Sequence, residues 1–235
     1  MSFQIAIDGP AGAGKSTIAK NLAKKTGALY VDTGAMYRTI ALYFLRAGLA
    51  LDSQEQLKDA IGGIEVTLGY TDGTQKVYLN GEDVSTAIRD EEVGKAASLT
   101  SAYGFVREKL LDLQRQIAAS QDVIMDGRDI GTCVLPDAQL KVYLTASVST
   151  RAMRRFLELR EKGVTCELSA IEADIIKRDE QDMTRAIAPL KQAEDAVLVD
   201  SSDLTIEEVV DTICAMAYEH GFVKNKEPLC GFGQQ

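Results

Sequence analysis

The segment from Gly9 to Thr17 carries the most specific chemical signal in the chain. It reads GPAGAGKST and matches the pattern G-x-x-x-x-G-K-[ST]. A predicted buried strand, Phe3–Asp8, precedes it, and a predicted helix, Lys15–Lys25, follows it. In that context Lys15 reaches the β- and γ-phosphates of a nucleotide and Ser16 presents a hydroxyl to Mg²⁺, whereas the alternative is a plain glycine-rich turn. We predict a nucleoside triphosphate site, with adenine and guanine equally possible, formed by Gly9, Pro10, Ala11, Gly12, Ala13, Gly14, Lys15, Ser16 and Thr17.

A second motif, DTGAMYR, covers Asp32–Arg38 and opens a helix predicted over about 35–47. Thr33 and Gly34 at a helix N-terminus, with Arg38 on its first turns, could bind an anion. An ordinary helix cap followed by a surface arginine would explain the segment equally well.

A third motif, DGRDIGT, covers Asp126–Thr132 and follows a predicted strand, Asp122–Met125. Ligands of open parallel sheets bind at the carboxyl ends of the strands, and the alternative is a solvated turn. Asp126 could be the acidic partner near Mg²⁺. The adjacent Arg128 and Asp129 could bind a phosphate and a polar edge of a ligand.

Arginines also recur on two predicted helices further along the chain. Four of them lie on Thr150–Glu161: Arg151, Arg154, Arg155 and Arg160. They could form a mobile lid over a transferring phosphoryl group, or a solvent-exposed face paired with Glu158 and Glu161. On the helix predicted over about 169–185, Arg178, Asp182 and Arg185 share one face and could bind a phosphorylated ligand. For this segment alone the favoured interpretation is a solvated ion-pair stripe, which is the usual arrangement of such charges.

The elements that must position these motifs alternate between strand and helix. Further strands are predicted over 140–146 and 196–199, and a last helix over 206–218 begins with a capping-box pair, Thr205 and Glu208. Residues 62–90 interrupt the alternation, because short strand-like runs there are separated by Asp72-Gly73 and Asn80-Gly81, which favour tight hairpins. The predicted fold is therefore α/β, with a parallel P-loop sheet covered by helices on both faces, a small antiparallel insertion and a helical lid.

Composition excludes several classes of function. The net charge of the 235 residues is −9, which argues against a nucleic-acid partner. The four cysteines form no CxxC pair and lie far in sequence from His220, the single histidine, so we expect no zinc site and no disulfide framework. No apolar run approaches the ~20 residues that span a bilayer. We expect a cytoplasmic protein without a membrane partner. His220 follows a predicted helix, and we interpret it as a helix-end residue rather than a catalytic base.

Taken together, five segments resemble the bacterial cytidylate kinases, and the likeness runs over about residues 3–220. The segments are IDGPAGAGKST (7–17), DTGAMYR (32–38), VREKLLDLQR (106–115), DGRDIGT (126–132) and KRDEQDMTRAIAPL (177–190). These nucleoside monophosphate kinases have a P-loop core, a monophosphate-binding insertion, enlarged in the bacterial branch, and an arginine-rich lid. With the turn signals, the resemblance implies a core of 1–61, 91–148 and 186–222, an insertion of 62–90, a lid with its flanking helix over 149–185, and a loose tail of 223–235.

The resemblance also implies a role for each matching residue. The monophosphate and its surroundings would be held by Thr33, Tyr37, Arg38 and Arg128. Cytosine would be contacted by Ser98, Arg107 and Asp129, and the ribose region by Arg178 and Asp182. The transferring phosphoryl group would be surrounded by Arg151 on the ATP side and by Arg154, Arg155 and Arg185. Thr33 stands where the family often has serine, and the hydroxyl is retained.

The implied reaction is ATP + CMP → ADP + CDP, with dCMP as a second acceptor, by direct in-line transfer. The attacking phosphate is already an anion, so catalysis would consist of positioning and charge neutralisation by Lys15, Mg²⁺ and arginines such as Arg128. A kinase for UMP or shikimate is the alternative within this class, and a non-catalytic nucleotide switch is the alternative outside it. No N-K-x-D guanine motif of the Ras type follows the P-loop. A monomer is expected.

Overall fold

The computed structural model describes residues 2–71 and 73–223, and its centre is a five-stranded parallel sheet. The strands are β1 (Gln4–Asp8), β2 (Leu29–Asp32), β6 (Val123–Gly127), β7 (Leu140–Thr145) and β8 (Val197–Asp200), in the order β2-β6-β1-β7-β8. Asp8 lies opposite Gly127, and Asp32 lies opposite Asp126. The carboxyl ends of β1, β2 and β6 therefore meet at one edge of the sheet.

Eight helices surround the sheet and the insertion in the described residues. They are α1 (Lys15–Thr26), α2 (Thr33–Arg46), α3 (Gln54–Ala60), α4 (Glu91–Thr100), α5 (Gly104–Ser120), α6 (Val148–Glu161), α7 (Leu168–Thr184) and α8 (Ile206–Glu219). Side chains alternate along each strand, so Ile5 and Ile7 pack with α1 and α8 on one face of the sheet. Ala6 packs on the opposite face with Ala118 of α5 and Val134. No helix of the described part is long and apolar enough to cross a membrane.

The predicted insertion is a three-stranded antiparallel sheet. Its strands are β3 (Val66–Thr71), β4 (Thr74–Leu79) and β5 (Glu82–Asp83). Asn80 and Gly81 both have positive φ angles, of 49° and 85°, as a two-residue hairpin turn requires. Val77 and Leu79 share a hydrophobic cluster with α2, α4 and α5, so the insertion packs directly on the helices that follow β2.

Most predicted elements are confirmed to within two residues, but two predictions need correction. Strand β2 is absent from the sequence-based prediction, because four residues between Gly27 and a helix form too short an apolar run to be recognised. The helix predicted to reach Arg185 ends at Thr184, and Arg185 itself has an extended conformation. The capping box at Thr205 is present, and His220 is the C-terminal cap of α8, as predicted. Of the predicted tail, residues 224–235 lie outside the described residues.

Candidate active site

The P-loop connects β1 to α1, and its conformation depends on glycine. Gly9 has a φ of +148°, and a Cβ atom there would lie 1.9 Å from the carbonyl oxygen of Leu144. Gly14, with a φ of 88°, is the N-terminal cap of α1. The Lys15 ammonium donates to the carbonyl oxygens of Gly9 and Pro10 at 2.7 and 2.8 Å. Burial and the nearby Arg128 guanidinium lower the pKa of Lys15 well below its ordinary value.

Ser16 and Asp126 meet beneath this loop. The Ser16 hydroxyl donates to Oδ2 of Asp126 at 2.8 Å, and the Tyr30 hydroxyl donates to Oδ1 at 2.9 Å. Burial, reinforced by the charge of Asp32, raises the pKa of Asp126 to about 6. Magnesium in nucleotide sites takes one or two carboxylates and completes its shell with water and phosphate. The Ser16 hydroxyl and the Asp126 carboxylate could supply two oxygen ligands of this kind. The described residues contain no group of three or more His, Cys, Asp or Glu side chains that could hold a metal ion by themselves.

A second cleft opens beside the P-loop, at the ends of β2 and β6. All nine residues predicted to bind the acceptor substrate line it, and Arg185 lines it as well. The nine are Thr33, Tyr37, Arg38, Ser98, Arg107, Arg128, Asp129, Arg178 and Asp182. They come from α2, α4, α5, α7 and the loop after β6. The fold thus brings four separate sequence motifs into one concave site.

Two buried carboxylates organise the arginines of this cleft. Asp129 forms an ion pair with Arg107, whose guanidinium also lies over the Tyr37 ring at 5.3 Å. Asp182 accepts a hydrogen bond of 2.8 Å from Nε of Arg128. Arg185 lies 3.6 Å from Asp129 and 3.9 Å from Asp182, although it is beyond the end of α7.

Several donors in the cleft have no hydrogen-bond acceptor among the residues that the structure describes. They are the Ser98 hydroxyl, Nε of Arg178 and Nη2 of Arg185, and all three atoms are buried. Burial, with the repulsion of Arg128, lowers the pKa of Arg178 to about 10. Buried donors without partners are costly, so their presence favours a ligand that supplies acceptor oxygens or nitrogens.

The arginines of α6 have three different environments. Arg151 is buried, donates to the carbonyl oxygens of Ala146 and Ala11, and forms a 2.7 Å ion pair with Asp179. Arg154 donates to the carbonyl oxygen of Ser201 at 2.6 Å, and its Nη1 is close to Gly14. Arg155 instead pairs with Glu158 on its own helix. The structure therefore places Arg151 and Arg154 against the P-loop. Arg155 instead has the pairing with Glu158 that the alternative prediction, a solvent-exposed helix face, describes.

Four residues around the site, none of them predicted from the sequence, hold its parts together. Asp8 accepts N–H bonds from Ile130 and Gly131 at 2.8 and 2.7 Å, which fixes the loop that carries Arg128 and Asp129. Burial raises the pKa of Asp8 to about 6. The other three are Tyr30, Asp32 and Asp179. Two signals could have indicated residues of this set in advance: Asp8 ends a predicted strand, and Asp32 begins the DTGAMYR motif.

A phosphate-binding loop that opens onto an arginine-lined cleft for a second ligand places this chain in the class of P-loop kinases. Comparisons with known proteins make the assignment more specific. The family model described as cytidylate kinase matches residues 5–219. The chain belongs to the cytidylate kinase family.

Relatives of known name support this assignment over almost the whole chain. A cytidylate kinase of Desulfitobacterium hafniense is 49% identical over 96% of this chain and 98% of its own length. One from Shouchella clausii is 50% identical over 93% of this chain and 97% of its own. Among solved structures, an uncharacterized protein from Eubacterium ventriosum has a TM-score of 0.51 at 12% identity, covering 92% of this chain and 99% of that one. That last likeness supports the fold alone.

Proposed function

We propose that this chain transfers the γ-phosphoryl group of ATP to CMP, and also to dCMP, with Mg²⁺ as the metal. The observation that carries the proposal is the meeting of two half-sites at Asp126. Ser16 of the P-loop donates to the Asp126 carboxylate, while Thr33 of the cleft donates to its main-chain oxygen at 2.8 Å. A donor nucleotide on the loop and an acceptor in the cleft would therefore face each other across one residue.

The cleft has the charges that a nucleotide monophosphate requires. Arg38, Arg128 and Arg185 supply guanidinium groups for phosphate oxygens, which they can bind with paired hydrogen bonds. Positive charge on both sides of the transferring group stabilises an in-line transition state, and no protein nucleophile is needed because the acceptor oxygen is already anionic. Mg²⁺, held by Ser16 and Asp126, would neutralise charge on the phosphates of the donor.

The base end of the cleft fits cytosine. The Asp129 carboxylate can accept from the N4 amino group, while Arg107 and the unpartnered Ser98 hydroxyl can donate to N3 and O2. The family relation supports the same acceptor, because the relatives described above are cytidylate kinases.

All residues assigned above to the donor and acceptor sites belong to one chain, and we propose that the enzyme acts as a monomer. The three cysteines in the described part of the chain are free, in keeping with a reducing cytoplasm.

A panel of acceptors tests the proposal. Purified protein is given ATP, Mg²⁺ and CMP, dCMP, UMP, AMP, GMP or shikimate, and ADP formation is followed in each case. We expect CMP and dCMP to give the highest kcat/KM. A preference for any other acceptor, or ADP formation that ignores the acceptor, would refute the proposed function.

A further inference from the structure

Asp32 is the point at which the insertion touches the core sheet beside the cleft. The residue is buried, and all of its polar groups have partners. Oδ1 accepts from the N–H of Ala35 at 2.9 Å, and so caps α2. Oδ2 accepts from both Nη atoms of Arg89 at 3.2 Å. The main-chain N–H and carbonyl oxygen of Asp32 bond to the side-chain amide of Gln75 at 2.8 and 3.3 Å.

The partners on the outer side of Asp32 all come from the insertion. Gln75 lies on β4, and Arg89 ends the short 3-10 turn that follows β5. Tyr70 of β3 adds a 3.1 Å hydrogen bond from its hydroxyl to the carbonyl oxygen of Tyr30. β2 pairs with β6 alone and is an edge of the parallel sheet, so these side chains satisfy backbone groups that no neighbouring strand reaches.

The contacts of Asp32 bear directly on the acceptor cleft. Thr33, the next residue, lines the cleft, and so do Tyr37 and Arg38 on the first turns of the helix that Asp32 caps. Arg38 also donates to the carbonyl oxygen of Ile88 at 3.1 Å, one residue before Arg89. A movement of residues 88–89 would therefore displace both the N-terminus of α2, through Asp32, and the Arg38 guanidinium.

We propose that Asp32 is a positioning residue for the acceptor phosphate, and that Arg89 of the insertion acts on the substrate through the Asp32 carboxylate. The inference rests on the proposed function only in taking a nucleoside monophosphate as the acceptor. Arg89 holds the carboxylate, the carboxylate holds the N-terminus of α2, and that turn presents Thr33 and Arg38 to the phosphate.

A double-mutant cycle tests this chain of contacts. Asp32→Asn keeps a good helix cap but loses the ion pair, and Arg89→Gln removes the pair from the other side. Each single change is expected to raise KM for CMP about two- to fivefold, the size of a partly exposed ion pair, with kcat and KM for ATP little changed. Both changes break the same ion pair between Arg89 and Asp32. KM for CMP should therefore be no higher in the double variant than in either single variant.

A second ion pair between the same helix and the same insertion provides a matched control. Arg46, at the other end of α2, pairs with Glu82 of β5 through both Nη atoms, at 2.7 and 3.0 Å. Arg46→Gln should leave KM for CMP unchanged, because this pair is remote from the cleft. If Arg46→Gln raises KM as much as Arg89→Gln does, general loosening of the insertion explains the effect and the inference is wrong.

Hydrogen exchange provides a readout that does not depend on the acceptor. The amides of residues 34–38 should exchange faster in Arg89→Gln than in wild type or in Arg46→Gln. Unchanged exchange together with unchanged KM would overturn the inference. Additive increases in KM in the double variant would show that Arg89 acts independently of Asp32, and would overturn it as well. If the wild type prefers another monophosphate, the proposed function fails, but the same cycle run with that monophosphate still decides the role of Asp32.

Discussion

At the scale of single residues, Asp129 has the clearest chemical task. It lies between Arg107 and Arg185, at the end of the cleft that we propose for the base, and its ionised carboxylate can only accept hydrogen bonds. The amino group of cytosine matches it, whereas uracil presents a carbonyl at that position. Losing a hydrogen bond to a charged group costs about 1.5–3 kcal/mol, or roughly ten- to a hundredfold in kcat/KM. We expect Asp129→Asn to lower the ratio of kcat/KM for CMP to kcat/KM for UMP, mainly by lowering the value for CMP.

Arg38→Ala is the matched comparison for this prediction. Arg38 is assigned to the phosphate that both nucleotides share, so kcat/KM for CMP and UMP should fall by similar factors. Both variants and the wild type are measured with both acceptors. If Asp129→Asn leaves the ratio unchanged while Arg38→Ala alters it, the base and phosphate assignments are reversed.

Lys15 is the residue on which phosphoryl transfer should depend most strongly. Its ammonium is buried among carbonyl oxygens of the P-loop, at the position where donor phosphates would lie. Lys15→Ala should lower kcat/KM by several orders of magnitude while circular dichroism and the melting temperature show a folded protein. Near-normal turnover in such a folded variant would disprove the assignment of the loop.

At the scale of elements, α6 and α7 form a helical pair with few apolar contacts of its own. Ala152, Ile171 and Ile175 are the buried members of its small cluster. Its links to the rest of the site are polar, through Arg151 to Ala11 and through Arg154 to Ser201. Such contacts can change when ligands bind, which is the behaviour expected of a lid.

Limited trypsin digestion tests this behaviour. Residues 149–168 contain exposed basic side chains, including Lys162. Cleavage there should be slowed more by ligands at both nucleotide sites together than by either ligand alone. Equal cleavage with and without a bisubstrate analogue would count against closure of α6 and α7.

The element scale also shows what the sequence could predict. The P-loop was recognisable because a strand, a glycine-rich turn and a helix are local features that leave a local pattern. The hairpin at Asn80-Gly81 was recognisable for the same reason. β2 was missed because its four residues form only a short apolar run, and its stability comes from pairing with β6 and from the side chains of Gln75 and Tyr70, which lie forty or more positions away.

The cleft itself was predictable only through the family resemblance. Spacing alone favours a solvated ion-pair stripe for Arg178, Asp182 and Arg185. Their convergence with Asp129 depends on the packing of α7 beside the loop after β6, which no local pattern encodes. The positioning roles of Asp8 and Asp32 were missed for a similar reason, since their partners lie elsewhere in the chain.

At the scale of the whole molecule, buried carboxylates couple folding to pH. Asp8 has a pKa of about 6 in the folded protein against an ordinary value of 3.8, because burial disfavours its charge. Its contribution to the free energy of unfolding is therefore full below about pH 4 and is lost as the pH rises through about 6.

Asp8→Asn should reveal this dependence, because asparagine stays neutral throughout. We compare the free energy of unfolding of the variant with that of wild type. The difference, variant minus wild type, should become more positive by on the order of 3 kcal/mol between about pH 4 and pH 7. Urea unfolding of both proteins across this range measures the shift. A difference that stays constant, or becomes more negative as the pH rises, would show that folding does not raise the pKa of Asp8.

The proposed enzyme transfers the γ-phosphoryl group of ATP to CMP and not to water. A kinase must deliver it to the acceptor and exclude water, whereas a nucleotide switch hydrolyses slowly and ignores the acceptor. The most direct measurement is the ratio of products from ATP and CMP with Mg²⁺, followed by phosphorus NMR. We predict equal amounts of ADP and CDP with little inorganic phosphate, and no ADP when CMP is left out. ADP accompanied by inorganic phosphate, at a rate that CMP does not change, would contradict this prediction.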